Sequence, residues 1–470
     1  MSNIPLISTL ICLPVISCFF VLISQKNKIQ NAKLTALCGS IVAIIVSVAM
    51  LCTFDFSKNT VQLLEEHLWI FKYGIKYKVG IDKYSIFFIL MTTVICSLTM
   101  LWILQKNIHK TKHFFSCILL FESFAIGAFV AYDLFLLLFF MEAATIPLFI
   151  MMHLSGKYHH KEAASFLLIY GMIGCLLTII SMLIIHNTSG TSDIIELYQK
   201  GHVYSKTCFW VILAGIGVKI PLFSLHHWLP KVHVDSPTAL SVLLASIALK
   251  FSSIMMIKVA YHLFFDYLIE YANLLSCLCL AGAIIACVNI FFQKDLKRIF
   301  VYFSILHMNL YIIILLSGGG IKKFVFSVLY HSFIMAILFF VTDIIKTIFK
   351  TREIDELKEV NSHFIVVKRL ALLSVLTLIG VPVSWGFITE ILSVYSANCL
   401  STGYALVVVA VILTSSSYIF FLYQSIFSNW TTNTIHSIDM FHASRASKNI
   451  VLYTLFGVIF SVGIFAGIFF

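Results

Sequence analysis

The sequence predicts an all-α polytopic membrane protein of about fourteen transmembrane helices, with two inverted five-helix repeats and one broken helix in each. Three observations predict it. Of the 470 residues 60% are hydrophobic and 11% charged, with a mean hydropathy of +1.00, whereas soluble chains carry about 25% charged residues. Apolar runs near the ~20 residues that cross a bilayer recur along the whole chain. The polar stretches between them are too short to hold a catalytic domain. The formal charge of +11 is distributed in short clusters between apolar runs, which is how membrane topology is written and not how a nucleic-acid footprint looks.

The spans are expected near 4–24, 34–54, 82–104, 113–131, 133–153, 163–186, 207–228, 237–263, 271–292, 299–316, 323–349, 368–394, 403–424 and 450–470. Helices are the default, because lipid offers backbone groups no partner and the runs are too long for barrel strands. The fourth and fifth spans meet near Tyr132 and Asp133. Residues 1–112 form the first three helices, 113–263 and 264–424 the two repeats, and 425–470 a loop and last helix. With the basic residues at span ends counted with the adjoining loops, loops after odd-numbered spans hold 20 Lys and Arg and those after even-numbered spans 9, which puts the odd loops on the cytoplasmic or matrix side. The first apolar run has no basic n-region and reads as a span, not a cleaved signal. Residues 55–81 include the alternating stretch from Lys72 to Gly80, which predicts a small hairpin. Residues 187–206 and 425–449 read as polar loops, and Gly318–Gly320 as a tight connection. The twelve cysteines are scattered without a C-x-x-C pair, so no zinc or iron–sulfur site is expected in this chain.

Chemistry concentrates around residues 215–250. Lys219 lies deep in an apolar segment, two residues before Pro221, with Pro230 and Pro237 following. A central charge costs at least about 2.5–3.5 kcal/mol. Proline breaks the helical ladder and frees carbonyls that can solvate an ammonium. Glu142 falls mid-span; an adjacent lysine favours its charged form, while burial opposes it. A Glu142–Lys219 pair is therefore a candidate switch for holding and releasing a proton. Lys250 falls mid-span, whereas Lys258 is nearer a span end and is expected to snorkel to the surface. Glu390 follows the second broken segment, Gly380–Gly386, and mirrors Lys219; paired interrupted helices mark ion sites. His307 and His331, in neighbouring spans, can pass protons through two ring nitrogens. The bland alternative for each is a hydrogen-bonded structural residue. His226, His227 and His233 adjoin the first break without metal-ligand spacing. Asp133 is expected at a span end in solvent, Glu122 is ambiguous, and Asp343 with Lys346 suggests a local ion pair. Carboxylates, amines and imidazoles at membrane depth suit proton transfer and provide no redox centre.

The stretch from Val218 through Lys219 and Pro221, then His226 to Pro237, resembles the signature of the antiporter-like subunits of respiratory complex I. Phe140–Pro147, Lys297–Met308 and Thr351–Leu357 agree in order and spacing, so the similarity runs from about 80 to 400. Glu390, where close relatives usually have lysine, points to the subunit M group, called chain 4 in mitochondria. The resemblance implies a proton-translocating membrane-arm subunit of NADH:ubiquinone oxidoreductase, with Glu142, Lys219, Lys250 and Glu390 on a polar axis and His307 and His331 as relay histidines. It implies that NADH, FMN, iron–sulfur clusters and ubiquinone belong to partner subunits, with none in this chain. Other membrane-arm subunits and a lipid such as cardiolipin are the expected partners, and the mitochondrial inner membrane the expected location, with a bacterial plasma membrane as the alternative. A subunit of a multi-subunit sodium/proton antiporter is the alternative function. Asp235 stands where the family usually has glutamate, Lys358 and Glu359 where it has glycines, and His227 replaces another side chain.

Overall fold

The computed structural model describes residues 5–25, 28–106, 110–155, 158–201, 203–318, 320–358, 365–427 and 442–464. Two compact units emerge, Met1–Ile220 with Asp235–Glu270, and Pro221–Val234 with Tyr271–Phe470. Among the described residues eleven helices are long and apolar enough to cross a membrane. Of the three other expected spans, two are each split into shorter helices, and the last is a helix whose apolar part is Lys448–Gly463.

The first unit begins with α1 (Leu6–Ile23) and α2 (Ile29–Thr53), followed by a two-stranded antiparallel hairpin, β1 (Gln62–Ile70) and β2 (Ile75–Ile81). Gly74, at φ 64°, closes its turn, a conformation glycine adopts at no steric cost. Then come α3 (Ser85–Ile103), α4 (Thr111–Val130), α5 (Leu134–Leu154), α6 (Tyr158–Ser189), α7 (Ile194–Lys200) and α8 (Lys206–Lys219). The short α9 (Trp228–Val234) belongs to the second unit. Back in the first, α10 spans Thr238–Tyr261 and α11 Phe265–Glu270. α10 contains two π-helical stretches, Leu244–Ala248 and Met256–Tyr261, one on each side of Lys250. Such bulges are frequent at functional sites.

The hairpin forms where it was expected, and ion pairs hold it. Lys76 meets Glu66 at 2.7 Å, Glu196 at 3.0 Å and Asp193 at 3.4 Å, and Lys78 also pairs with Asp193. The Glu66 carboxylate pushes Lys76 up from its ordinary value, and the hydrogen bond from Lys76 holds Glu66 below the usual carboxylate range. Two expectations are corrected here. Asp133 is at its helix end but fully buried: it caps α5 through the amides of Phe135 and Leu136 at 3.0 and 3.2 Å and accepts from Ser192 and the Lys76 amide. A carboxylate with several donors aimed at it tolerates burial. Within 187–206, the expected polar loop includes α7, which Asp193 caps through Ile195 and Glu196.

The second unit contains α9, then α12 (Ala272–Phe292), α13 (Leu296–Leu316), α14 (Ile321–Phe349), α15 (Ile354–Lys358), α16 (Ile365–Leu378), α17 (Trp385–Leu400), α18 (Thr402–Phe427) and α19 (His442–Ile464). α13 and α14 are its most buried helices. Arg352 bonds Asp295 at 2.9 Å and donates to the Val234 carbonyl at 3.3 Å, fastening α9. Gly319, Glu359 and most of the predicted 425–449 loop lie outside the described residues.

Candidate functional site

In the first unit, Lys219 is the last residue of α8 and Glu142 lies near the middle of α5, five residues before Pro147. The Lys219 ammonium donates to Glu142 Oε1. The two side chains are 16% and 28% exposed, so the pair is only partly dehydrated. α8 ends there because Pro221 cannot continue the ladder. Helix end and break therefore arise from one short stretch of sequence, and the ion pair ties it to α5, 77 residues away. Lys250 is fully buried in α10 and donates to the Ala245 carbonyl at 2.9 Å, beside the first π-helical stretch.

Lys258 does not snorkel. It is 2% exposed and donates to the carbonyls of Phe129 and Ala131, both at 2.9 Å. A helix C-terminus supplies bare carbonyls that attract a cation, so this lysine finds its polar environment inside the protein instead of at the surface. Glu122 is also fully buried, and Ser40 donates to its Oε1 at 2.9 Å.

In the second unit, His307 and His331 come together with their rings 6.2 Å apart and nearly perpendicular, and Tyr311 stacks on His307 at 5.8 Å. His233 stacks on Phe339 at 5.3 Å and His226 on His227 at 4.4 Å. Side chains meet the carbonyls that the helix breaks release. Asn309 donates to the Pro221 carbonyl at 3.1 Å, and Tyr330 to that of Thr377 at 2.6 Å; such replacement partners let non-helical backbone persist at membrane depth. Ser384 caps α17 after the second break. Glu390, six residues on, lies against Gly380, where φ is +66° and a Cβ would overlap the Glu390 carboxylate. Among the described residues Glu390 makes no ion pair. Glu390 also lines a cavity of about 510 Å³ between α17 and α18, together with Phe387, Tyr395, Asn398 and Val409.

Bundled apolar helices, two helix breaks and buried acids and bases beside them define a class of ion-translocating membrane proteins. Residues 131–416 match the family described as NADH:quinone oxidoreductase/Mrp antiporter, transmembrane. Subunit M of NADH-quinone oxidoreductase from Rickettsia typhi is 31% identical over 449 residues, covering 92% of this chain and 90% of that one. Chain 4 of NADH-ubiquinone oxidoreductase from Arabidopsis thaliana is 29% identical, covering 74% and 71%. A subunit of respiratory complex I from Thermus thermophilus superposes with a TM-score of 0.85 at 21% identity, covering 98% of this chain and 96% of that one. A chain of the Mrp complex from Dietzia superposes at 0.84 with 14% identity, covering 100% and 96%. The chain belongs to the NADH:quinone oxidoreductase/Mrp antiporter family, within its NADH-quinone oxidoreductase subunit M group, and is a multi-pass membrane protein.

Proposed function

We propose that this chain is a proton-translocating membrane-arm subunit of NADH:quinone oxidoreductase. The observation that carries the proposal is the Lys219–Glu142 ion pair at the edge of a helix break. Closing the pair stabilises the ammonium. Opening it leaves the ammonium without its counter-charge, so that it can hand its proton to a neighbouring acceptor and become a neutral amine. Lys250 takes part in the same unit, and His307, His331 and Glu390 in the other, where the cavity beside Glu390 leaves room for water. We read 113–263 and 264–424 as inverted repeats, each built around one broken helix.

The driving energy comes from partner subunits that hold NADH, FMN, iron–sulfur clusters and ubiquinone. The other membrane-arm subunits are the protein partners, and a lipid such as cardiolipin covers the apolar flanks. The likeness to mitochondrial chain 4 supports the mitochondrial inner membrane, with a bacterial plasma membrane as the alternative.

The test uses the intact complex in sealed vesicles. NADH oxidation acidifies or alkalinises the lumen in the wild type, and Lys219→Ala abolishes that signal while assembly persists. Unchanged pumping refutes the relay. Sodium-dependent proton exchange without NADH would instead establish a sodium/proton antiporter.

A further inference from the structure

Lys258 lies eight residues past Lys250 on α10, about 12 Å along the axis. Its surroundings differ in kind. Lys250 donates to a carbonyl of its own helix, whereas Lys258 donates to two carbonyls of another element, at the end of α4. Its ammonium also stands 3.9 Å over the centroid of the Tyr132 ring. The Tyr132 hydroxyl donates to Asp82, whose carboxylate accepts the amides of Tyr84 and Ser85, both at 2.7 Å, at the start of α3. The backbone carbonyl of Lys258 accepts the Tyr198 hydroxyl of α7 at 2.6 Å. One buried residue therefore joins α10 to the α4–α5 corner and α7 directly, and to the start of α3 through Tyr132.

We propose that Lys258 is a positioning residue of the relay: a standing positive charge that fixes the α4–α5 corner against the helix of Lys250. The proposal rests on the relay reading above. Helix C-terminal carbonyls and an aromatic face both stabilise a cation, and each is used here. α5 begins three residues after Ala131 and carries Glu142 eight residues further on. A shift of the corner is thus transmitted along a rigid helix to the carboxylate that meets Lys219. A misplacement of about 1 Å is enough to slow a positioned reaction severely.

The experiment measures the rate of proton pumping by the intact complex in vesicles, together with its proton-to-electron ratio. Lys258→Arg keeps the cation but cannot release a proton, and Lys258→Met removes the charge at similar length. The arginine variant is expected to pump like the wild type, and the methionine variant about tenfold more slowly. Loss of pumping in an assembled arginine variant overturns the proposal, since it makes Lys258 a proton carrier. Wild-type pumping by the methionine variant also overturns it. Should that variant not assemble, Lys258→Gln retains a donor for the carbonyls; it is expected to pump slowly, and full pumping overturns the need for a charge. Lys250→Ala, run alongside, separates the two ideas: if it pumps normally, the relay reading itself fails.

Discussion

The two helix breaks have opposite electrostatics. At the first, the charge precedes the break, is a lysine, and is closed by an ion pair with Glu142. At the second, the charge follows the break, is a glutamate, and faces a cavity with no ion pair among the described residues. Each break also holds a non-glycine residue in left-handed backbone, Ser224 at φ 71° and Val383 at φ 84°. For a β-branched valine the strain is worth about 1–3 kcal/mol. Two interruptions of similar backbone thus serve different electrostatic purposes: one stores a charge against its counter-charge, and the other holds an acid beside a cavity with no counter-charge among the described residues.

The largest expected effect lies at the closed site. Lys219→Ala leaves Glu142 unpaired and is expected to destabilise the first unit by about 3–5 kcal/mol, with partial solvation favouring the low end. Thermal unfolding of the purified complex reads it, and a Glu142→Gln/Lys219→Met double variant should recover most of the loss. Glu390→Gln breaks no ion pair, so assembly and melting should stay near wild type while pumping falls. A large drop in melting temperature would show that Glu390 has a counter-charge and would erase the contrast. Backbone changes come next. Gly380→Ala should cost about 1–2 kcal/mol from its positive φ and also displace Glu390, whereas Val383→Gly should not impair stability.

Much of this was legible in the sequence because it is local. Apolar runs gave the helices, prolines the first break, and the alternation from Lys72 to Gly80 the hairpin. Lys219 and Glu142 each stood out because a charge in an apolar run needs a partner. Residues whose environment comes from distant chain were misjudged. Lys258 finds carbonyls 129 and 127 residues away, and Asp133 finds Ser192. Both look like ordinary residues near span ends when only their neighbours are read. The π-helical stretches of α10 carry no proline or glycine to mark them, and α7 is too short for periodicity to reveal.

The smallest predicted effect concerns the hairpin, a region held by charges outside the spans. Glu66 is depressed from 4.5 and Lys76 raised from 10.5 in the folded chain. The Glu66 contribution is therefore present above its ordinary value and fades as pH falls through the lowered one. The Lys76 contribution is present below its ordinary value and fades as pH rises through the raised one. Hydrogen exchange in β2, corrected for intrinsic rate, should stay slow between about pH 5 and 10 and quicken outside that window. Equal protection at pH 3 and 7 would mean these ion pairs do not hold the hairpin.

The most direct test of proton relay through the closed pair is the proton-to-electron ratio of assembled complex carrying Glu142→Gln, which preserves shape and removes the counter-charge. The ratio should fall while quinone reduction by the partner subunits persists. An unchanged ratio in fully assembled complex would contradict the role assigned to Glu142 and Lys219.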